Sequence, residues 1–135
     1  MKELTVGASF DQIEVVTDFV NETLEALGGS VRARLQLDVA IDEIMSNIVR
    51  YAYSPGTGSV TVRLEALENP PAVRLSFIDC GVPYDPFTAR QPDVSAPAEE
   101  RAVGGLGIYL VRKTMDEVRY EYLDGQNVLH ITKRI

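Results

Sequence analysis

Apolar residues in the first half of the chain recur every three or four positions in two blocks, the spacing of one face of an α-helix. They are Ile13, Val16, Val20, Leu24 and Leu27 in the first block, and Leu37, Ile41, Ile44, Met45 and Ile48 in the second. Because short polar side chains satisfy free N–H groups at helix starts, Ser9 or Asp11 is expected to cap the first helix and Ser30 the second. Gly28 should end the first helix, and the second should run to about Tyr53.

Apolar residues elsewhere alternate with polar ones, which is typical of strands with one buried face. A short first strand is predicted at residues 4–9. Two further strands form a hairpin around a turn at 68–71; their apolar positions are Val60, Val62, Leu64 and Ala66, then Val73, Leu75 and Phe77. A last hairpin is predicted to pair residues 118–123 with 128–135.

A long segment at residues 80–105 has little periodicity and contains four prolines. Loops of this length inside a compact domain are typically lids, binding loops or disordered segments. A third helix follows, from about residue 106 to Asp116. The order β-α-α-β-β-loop-α-β-β predicts an α+β fold, a two-layer sandwich in which helices cover one face of a mixed, mostly antiparallel sheet. We expect a single domain over residues 1–135.

Composition narrows the class of protein. The 135 residues are 45% apolar and 24% charged, as in ordinary soluble domains. Thirteen basic and twenty acidic residues give a net charge of −7, which argues against nonspecific nucleic-acid binding. One cysteine, Cys80, and one histidine, His130, leave no intrachain disulfide and no zinc constellation. Because no signal-peptide pattern or membrane-spanning apolar run is recognised, we expect a cytoplasmic protein without a membrane segment.

Three polar features do not fit simple packing. Glu43 and Asn47 are four residues apart and share a face of the second helix; they either lie on its solvated flank or need partners. Counting by twos from Val73 points Asp79 into the interior, and Gly81 would permit close approach of a ligand or backbone. Alternatively, the strand ends at residue 78 and Asp79 is a turn residue.

The third feature is a glycine-rich helix start, Gly104-Gly105-Leu106-Gly107. Free N–H groups at a helix N-terminus suit phosphate, although the segment taken alone favours a hinge followed by a helix start. It is neither a P-loop nor a dinucleotide-binding fingerprint. Together the three features describe a nucleotide site, in which Asp79 contacts the base, the glycine-rich segment holds the phosphates and Asn47 binds Mg²⁺.

Residues 38–53, 79–86 and 104–111 resemble, in order and spacing, the N, G1 and G2 boxes of the GHKL ATP-binding fold. That fold is shared by gyrase, histidine kinases, mismatch-repair ATPases and anti-sigma-factor serine kinases. The most similar branch is the anti-sigma-factor serine/threonine kinases of bacterial partner-switching systems.

The resemblance implies a role for each matching residue. Glu43 would be the general base that activates a serine hydroxyl on a protein substrate, Asn47 would bind Mg²⁺, and Asp79 would accept a hydrogen bond from the adenine amino group. Gly81 would shape the adenine pocket, and Arg50 would lie near the phosphates.

The glycine-rich segment would line the phosphate region, with Gly104, Gly105, Leu106 and Gly107 as its residues. Residues 84–103 would form the ATP lid. Asn127 stands where a threonine often helps to bind the base, and Thr132 is a second candidate for that contact.

The resemblance also implies partners. The expected function is an ATP- and Mg²⁺-dependent protein kinase that phosphorylates an anti-sigma antagonist, holds a sigma factor when disengaged, and forms a homodimer through residues 4–27. Two alternatives stay open: a nucleotide-dependent binding switch that transfers no phosphate, and a regulatory fragment that binds no nucleotide.

Overall fold

The computed structural model describes residues 1–54, 56–88 and 105–135. Its strands are β1 (Lys2–Gly7), β2 (Ser59–Leu67), β3 (Ala72–Asp79), β4 (Glu117–Leu123) and β5 (Gln126–Arg134). Its helices are α1 (Ile13–Ala26), α2 (Val31–Asn47) and α3 (Gly105–Thr114), with a 3₁₀ turn at Phe10–Gln12 and a π turn at Ile48–Ala52. The predicted element order is confirmed for these residues. None of the helices that they form is long and apolar enough to span a bilayer.

The five strands form one sheet in the order β1-β2-β3-β5-β4, and every neighbouring pair is antiparallel. One face packs against the helices, where α2 contacts both α1 and α3. Fully buried residues from both layers form the core; they include Val16, Leu37, Ile41, Val62, Leu75 and Ile131. The predicted α+β two-layer sandwich is therefore confirmed, and the described strand pairs are all antiparallel rather than mixed.

The opposite face of the sheet is polar. Thr5 and Thr61 share a hydrogen bond of 2.8 Å across β1 and β2, and Arg63 forms an ion pair with Glu3 at 2.6 Å. In β5, His130 points to this face, where its Nδ1 lies 2.7 Å from Ser76 Oγ. Because the strands alternate between the two faces, the chemistry predicted from inward-pointing positions has to lie on the helix side.

The helix starts agree with the prediction at one position and differ at the other. Ser30 Oγ accepts a hydrogen bond from the Ala33 N–H at 3.1 Å and caps α2 as predicted. The predicted cap of the first helix is wrong, because the 3₁₀ turn intervenes and Gln12 becomes the cap residue without a side-chain bond. Ser9 instead donates its hydroxyl to the Asp11 carboxylate.

The helix ends follow the backbone signals in the sequence. Gly28, with a φ of 72°, lies just after α1, a conformation that glycine adopts without a steric cost. The second helical segment reaches Ala52, close to its predicted end, but its last five residues form a π turn rather than an α-helix. Such turns often occur at functional sites, and this one lies beside the cleft described below.

Two leucines of α2 test this arrangement. Leu37 is fully buried, whereas Leu35 is 53% exposed. We expect Leu37→Ala to lower the free energy of unfolding by about 2–5 kcal/mol, because it leaves a cavity in the core. Leu35→Ala should change it by less than about 0.5 kcal/mol. Urea denaturation measures both values, and equal effects would contradict the buried face assigned to α2.

Candidate functional site

A partly open cleft lies between the helices and one end of the sheet. Its lining comes from α2 and the π turn (Ile44, Asn47, Ile48, Tyr51, Ala52), from β3 and the following loop (Phe77, Asp79, Val82, Tyr84, Pro86), and from α3, β4 and β5 (Ile108, Tyr120, Asn127, Leu129). The surface is largely apolar with a few converging polar groups, as expected for a site that holds a flat ring and fixes its orientation.

The three sequence segments that carried the functional prediction meet at this cleft. Asn47 and Asp79 both line it, and Ile108 lines it from the first turn of α3. Glu43 lies one turn before Asn47 on α2. Its side chain faces α3, because a Cβ added to Gly107 would overlap the Glu43 carboxylate. The segments are therefore neighbours in space although they are separated in sequence.

Asp79 is the last residue of β3, and it is buried with 5% of its surface exposed. The alternative in which the strand ends at residue 78 is therefore wrong. Its Oδ1 accepts hydrogen bonds from the Gly81 N–H and from Asn127 Nδ2, each at 2.9 Å. Among the described residues, the donors that contact this carboxylate bond Oδ1, so Oδ2 has capacity to accept a bond from a ligand.

The Asn127 amide is fully engaged with the protein. Its Nδ2 also donates to the Val82 carbonyl at 2.9 Å, and its Oδ1 accepts from the Tyr84 N–H at 3.1 Å and from the Tyr120 hydroxyl. Asn127 is opposite Asp79 in the β3–β5 register, which brings the two side chains together. This arrangement differs from the expected base contact, because the amide bonds Asp79 and the loop after β3.

Gly81 allows two backbone segments to touch. A Cβ at this position would overlap the Ala52 carbonyl, and the next residue, Val82, donates its N–H to the same oxygen at 3.0 Å. The loop after β3 is thereby attached to the end of the π turn. The close approach predicted for this glycine is to Ala52, and it closes one side of the cleft.

Glu43 is a partly buried carboxylate whose charge is destabilised by its surroundings. Burial raises the pKa of the Glu43 carboxyl, the adjacent Asp42 charge raises it further, and Arg50 lowers it. A raised pKa makes a carboxylate a stronger base. The Glu43 side chain lies next to the start of α3. It is therefore beside the glycine-rich segment that is predicted to hold the phosphates.

Other predicted site residues lie at the edge of the cleft or outside the described ranges. Arg50 is exposed, and its guanidinium carbon lies 5.6 Å from the centre of the Phe10 ring, rather than in the cleft lining. Gly105 and Leu106 begin α3, whereas Gly104 and residues 89–103 of the expected lid lie outside the described residues. The second candidate for base contact, Thr132, is wrong, because it lies on the polar face of the sheet, opposite Arg74.

Sequence reasoning missed three tyrosines that line the cleft. Tyr51 and Tyr84 lie on opposite segments with ring centres 6.3 Å apart. Tyr120 contacts Asn127 diagonally across the β4–β5 hairpin. The pairing of that hairpin could have indicated this contact, since diagonal neighbours on the same face of two paired strands are within reach of aromatic side chains.

Residues 6–133 match the family described as Histidine kinase-like ATPase domain. The match covers almost the whole chain. The protein belongs to this family. Membership implies that the protein uses a nucleotide.

Curated relatives of this histidine kinase-like ATPase domain include two named kinases. The chain is 33% identical to the serine/threonine-protein kinase BtrW of Bordetella bronchiseptica over 103 residues, covering 76% of this chain and 72% of that protein. It is 26% identical to the serine-protein kinase RsbW of Bacillus cereus over 137 residues, covering 98% of this chain and 84% of that one. A chain in the crystal structure of the SiaB-SiaC complex from Pseudomonas aeruginosa has the same fold, with a TM-score of 0.56, 16% identity and coverage of 98% and 89%.

The two charges beside Glu43 should move its pKa in opposite directions. Asp42→Asn removes a like charge and should lower the pKa of the Glu43 carboxyl. Arg50→Gln removes an opposite charge and should raise it. The chemical shift of the Glu43 carboxyl carbon, followed by NMR as a function of pH, gives this pKa in the unaltered protein and in both variants. Shifts of the same sign in both variants would contradict the charge environment described here.

Proposed function

We propose that this protein is an ATP-dependent protein serine/threonine kinase that phosphorylates an anti-sigma antagonist in a bacterial partner-switching system. One observation carries the proposal: Asp79 and Asn47 line a single cleft, and the Glu43 carboxylate lies against Gly107 in the first turn of α3, the helix that contributes Ile108 to the same cleft. The kinases named among its relatives support the same chemistry. The family itself includes other activities, so the assignment of phosphate transfer depends on Glu43.

The base would bind at the end of the cleft formed by the sheet. There Asp79 Oδ2 would accept a hydrogen bond from the adenine amino group, while Oδ1 keeps its bonds to Gly81 and Asn127. The buried Phe77 and Leu129 provide an apolar wall for the ring. A ring that fills this space excludes water, which strengthens the bond to the carboxylate.

The phosphates would lie towards α2 and α3. Asn47 lines the cleft one turn after Glu43 and offers an amide oxygen, a hard ligand of the kind that Mg²⁺ accepts alongside phosphate oxygens and water. The first turn of α3, which contains Gly105, Leu106 and Gly107, would direct N–H groups at the phosphates. Gly104 and the lid at residues 84–103 remain part of this proposal.

Glu43 would act as the general base. In the transfer step, a serine Oγ of the substrate attacks the γ-phosphorus while the bond from that phosphorus to its bridging oxygen breaks and ADP leaves. The Glu43 carboxylate accepts the hydroxyl proton. Bound Mg²⁺ would neutralise charge on the phosphates, and positioning would supply most of the remaining rate enhancement. Arg50 lies near enough to affect the Glu43 pKa, which supports its proposed place near the phosphates.

Partner binding would use the outer surface of the first elements. β1 is an edge strand that pairs with β2 on one side, and an open strand edge is a template for pairing with another chain. Phe10 and Val15, which follow it, are exposed apolar residues. These features support a homodimer through residues 4–27. The proposal also includes a sigma factor bound on the adjoining surface and a cytoplasmic location.

Glu43→Gln tests the proposed base. We expect phosphate transfer from labelled ATP to antagonist candidates encoded beside this protein to fall about 10²–10⁴-fold, because the amide accepts no proton at neutral pH. ATP affinity should change little. Asp42→Asn, which removes the neighbouring carboxylate, is the matched control; it should keep most of its transfer activity at pH 7.5, with only the small loss that a lower Glu43 pKa causes. Full transfer by Glu43→Gln would overturn the assigned role, and ATP binding without transfer by the unaltered protein would favour a binding switch.

Asn47→Leu tests the proposed metal ligand. It keeps the side chain's size but removes the amide oxygen, so ATP affinity measured with Mg²⁺ should fall roughly tenfold. ATP affinity in EDTA should be almost unchanged. Calorimetry with and without Mg²⁺ gives both values. An equal loss under the two conditions would indicate that Asn47 contributes to the shape of the cleft rather than to metal binding.

A further inference from the structure

We infer that Tyr120 is a positioning residue for base recognition: through Asn127, its hydroxyl holds the Asp79 carboxylate with Oδ2 directed at the nucleotide. This inference rests on the proposed function, because it assumes that Asp79 contacts the base. Tyr120 was not among the residues that the sequence motifs identified, and it lies on β4, outside all three of them.

The hydrogen-bond chain has a defined direction. The Tyr84 N–H can only donate, and it lies 3.2 Å from the Tyr120 hydroxyl oxygen and 3.1 Å from Asn127 Oδ1. Since an amide oxygen can only accept, the Tyr120 hydroxyl donates to Asn127 Oδ1. The Asn127 Nδ2 is thereby turned towards Asp79 Oδ1 at 2.9 Å. These contacts therefore determine which end of the Asn127 amide faces Asp79.

Tyr120 differs from the other groups that hold the amide. The Val82 carbonyl and the Tyr84 N–H belong to the loop after β3, whereas Tyr120 belongs to the sheet. Anchoring by Tyr120 makes the orientation of Asn127 depend on strand register as well as on the position of the loop. Burial raises the pKa of the Tyr120 hydroxyl, so the group stays protonated and able to donate.

The consequence is selective for one end of the nucleotide. With Oδ1 bonded to Gly81 and Asn127, the carboxylate of Asp79 is fixed and Oδ2 can accept from the adenine amino group. If the amide turned, Asp79 would lose one of these two donors and could rotate. The loss would reduce affinity for a base that carries an amino group at this position, and would leave contacts to the ribose and phosphates unchanged.

A pair of nucleotides isolates this effect. Purine riboside triphosphate is identical to ATP except that it lacks the 6-amino group. The unaltered protein should prefer ATP by roughly tenfold to a hundredfold, the range expected for one hydrogen bond to a charged group. Tyr120→Phe keeps the ring and removes the hydroxyl. We expect the preference to fall to about threefold or less, with little change in affinity for purine riboside triphosphate.

Two further variants separate positioning from a general effect on the cleft. Tyr122→Phe removes the hydroxyl of an exposed tyrosine two residues along the same strand, and it should keep the preference for ATP. Asn127→Leu removes the donor to Asp79 and should lose the preference as Tyr120→Phe does. Thermal unfolding of each variant without nucleotide shows whether the fold is retained.

The possible outcomes distinguish failure of this inference from failure of the proposed function on which it rests. An equal loss of affinity for both nucleotides in Tyr120→Phe would overturn the inference, because Tyr120 would then act on the shape of the cleft. An unchanged preference would also overturn it. If the unaltered protein bound ATP without preferring it to purine riboside triphosphate, the Asp79 assignment would fail and the inference with it. Absence of ATP binding by the unaltered protein would overturn the proposed function itself.

Discussion

A buried carboxylate must be hydrogen-bonded, and in this protein that requirement determines the arrangement of the cleft. Asp79 lies at the end of a central strand with 5% of its surface exposed, where an unpaired charge would cost several kcal/mol. Gly81 and Asn127 satisfy one of its oxygens. Because Asn127 also bonds Val82 and Tyr84, the same contacts hold the loop after β3 against the sheet. The bonds that allow Asp79 to be buried thus also form one wall of the cleft.

Helix α2 connects that wall to the opposite end of the cleft. Its inner face is part of the core, with Leu37, Ile41 and Met45 fully buried. Glu43 and Asn47 lie at the edge of that face, where burial is partial and the carboxyl pKa is raised. A helix fixed by its apolar face holds these polar groups more firmly than a loop would. The same packing that stabilises the fold therefore positions the proposed base and metal ligand.

Much of the fold followed from periodicity, because each element buries one face. Counting by twos also predicted that Asp79 points inward, since strand alternation is a local property. The 3₁₀ turn that replaced the expected cap at Ser9 was not predictable in this way. The role of Asn127 and the contribution of Tyr120 depend on which residues face each other across two strand pairs. An amide has several possible partners, and a local pattern does not show which of them it contacts.

Gly107 illustrates how a motif can have more than one physical cause. A glycine at a helix start is usually explained by the close approach of phosphate. Here a Cβ at this position would overlap the Glu43 carboxylate, so the glycine leaves room for that carboxylate even before a ligand is considered. The contact brings α3 against the acid that would accept the substrate proton. Any side chain at position 107 would displace Glu43 or the helix start, and so the glycine joins the proposed phosphate region to the proposed base.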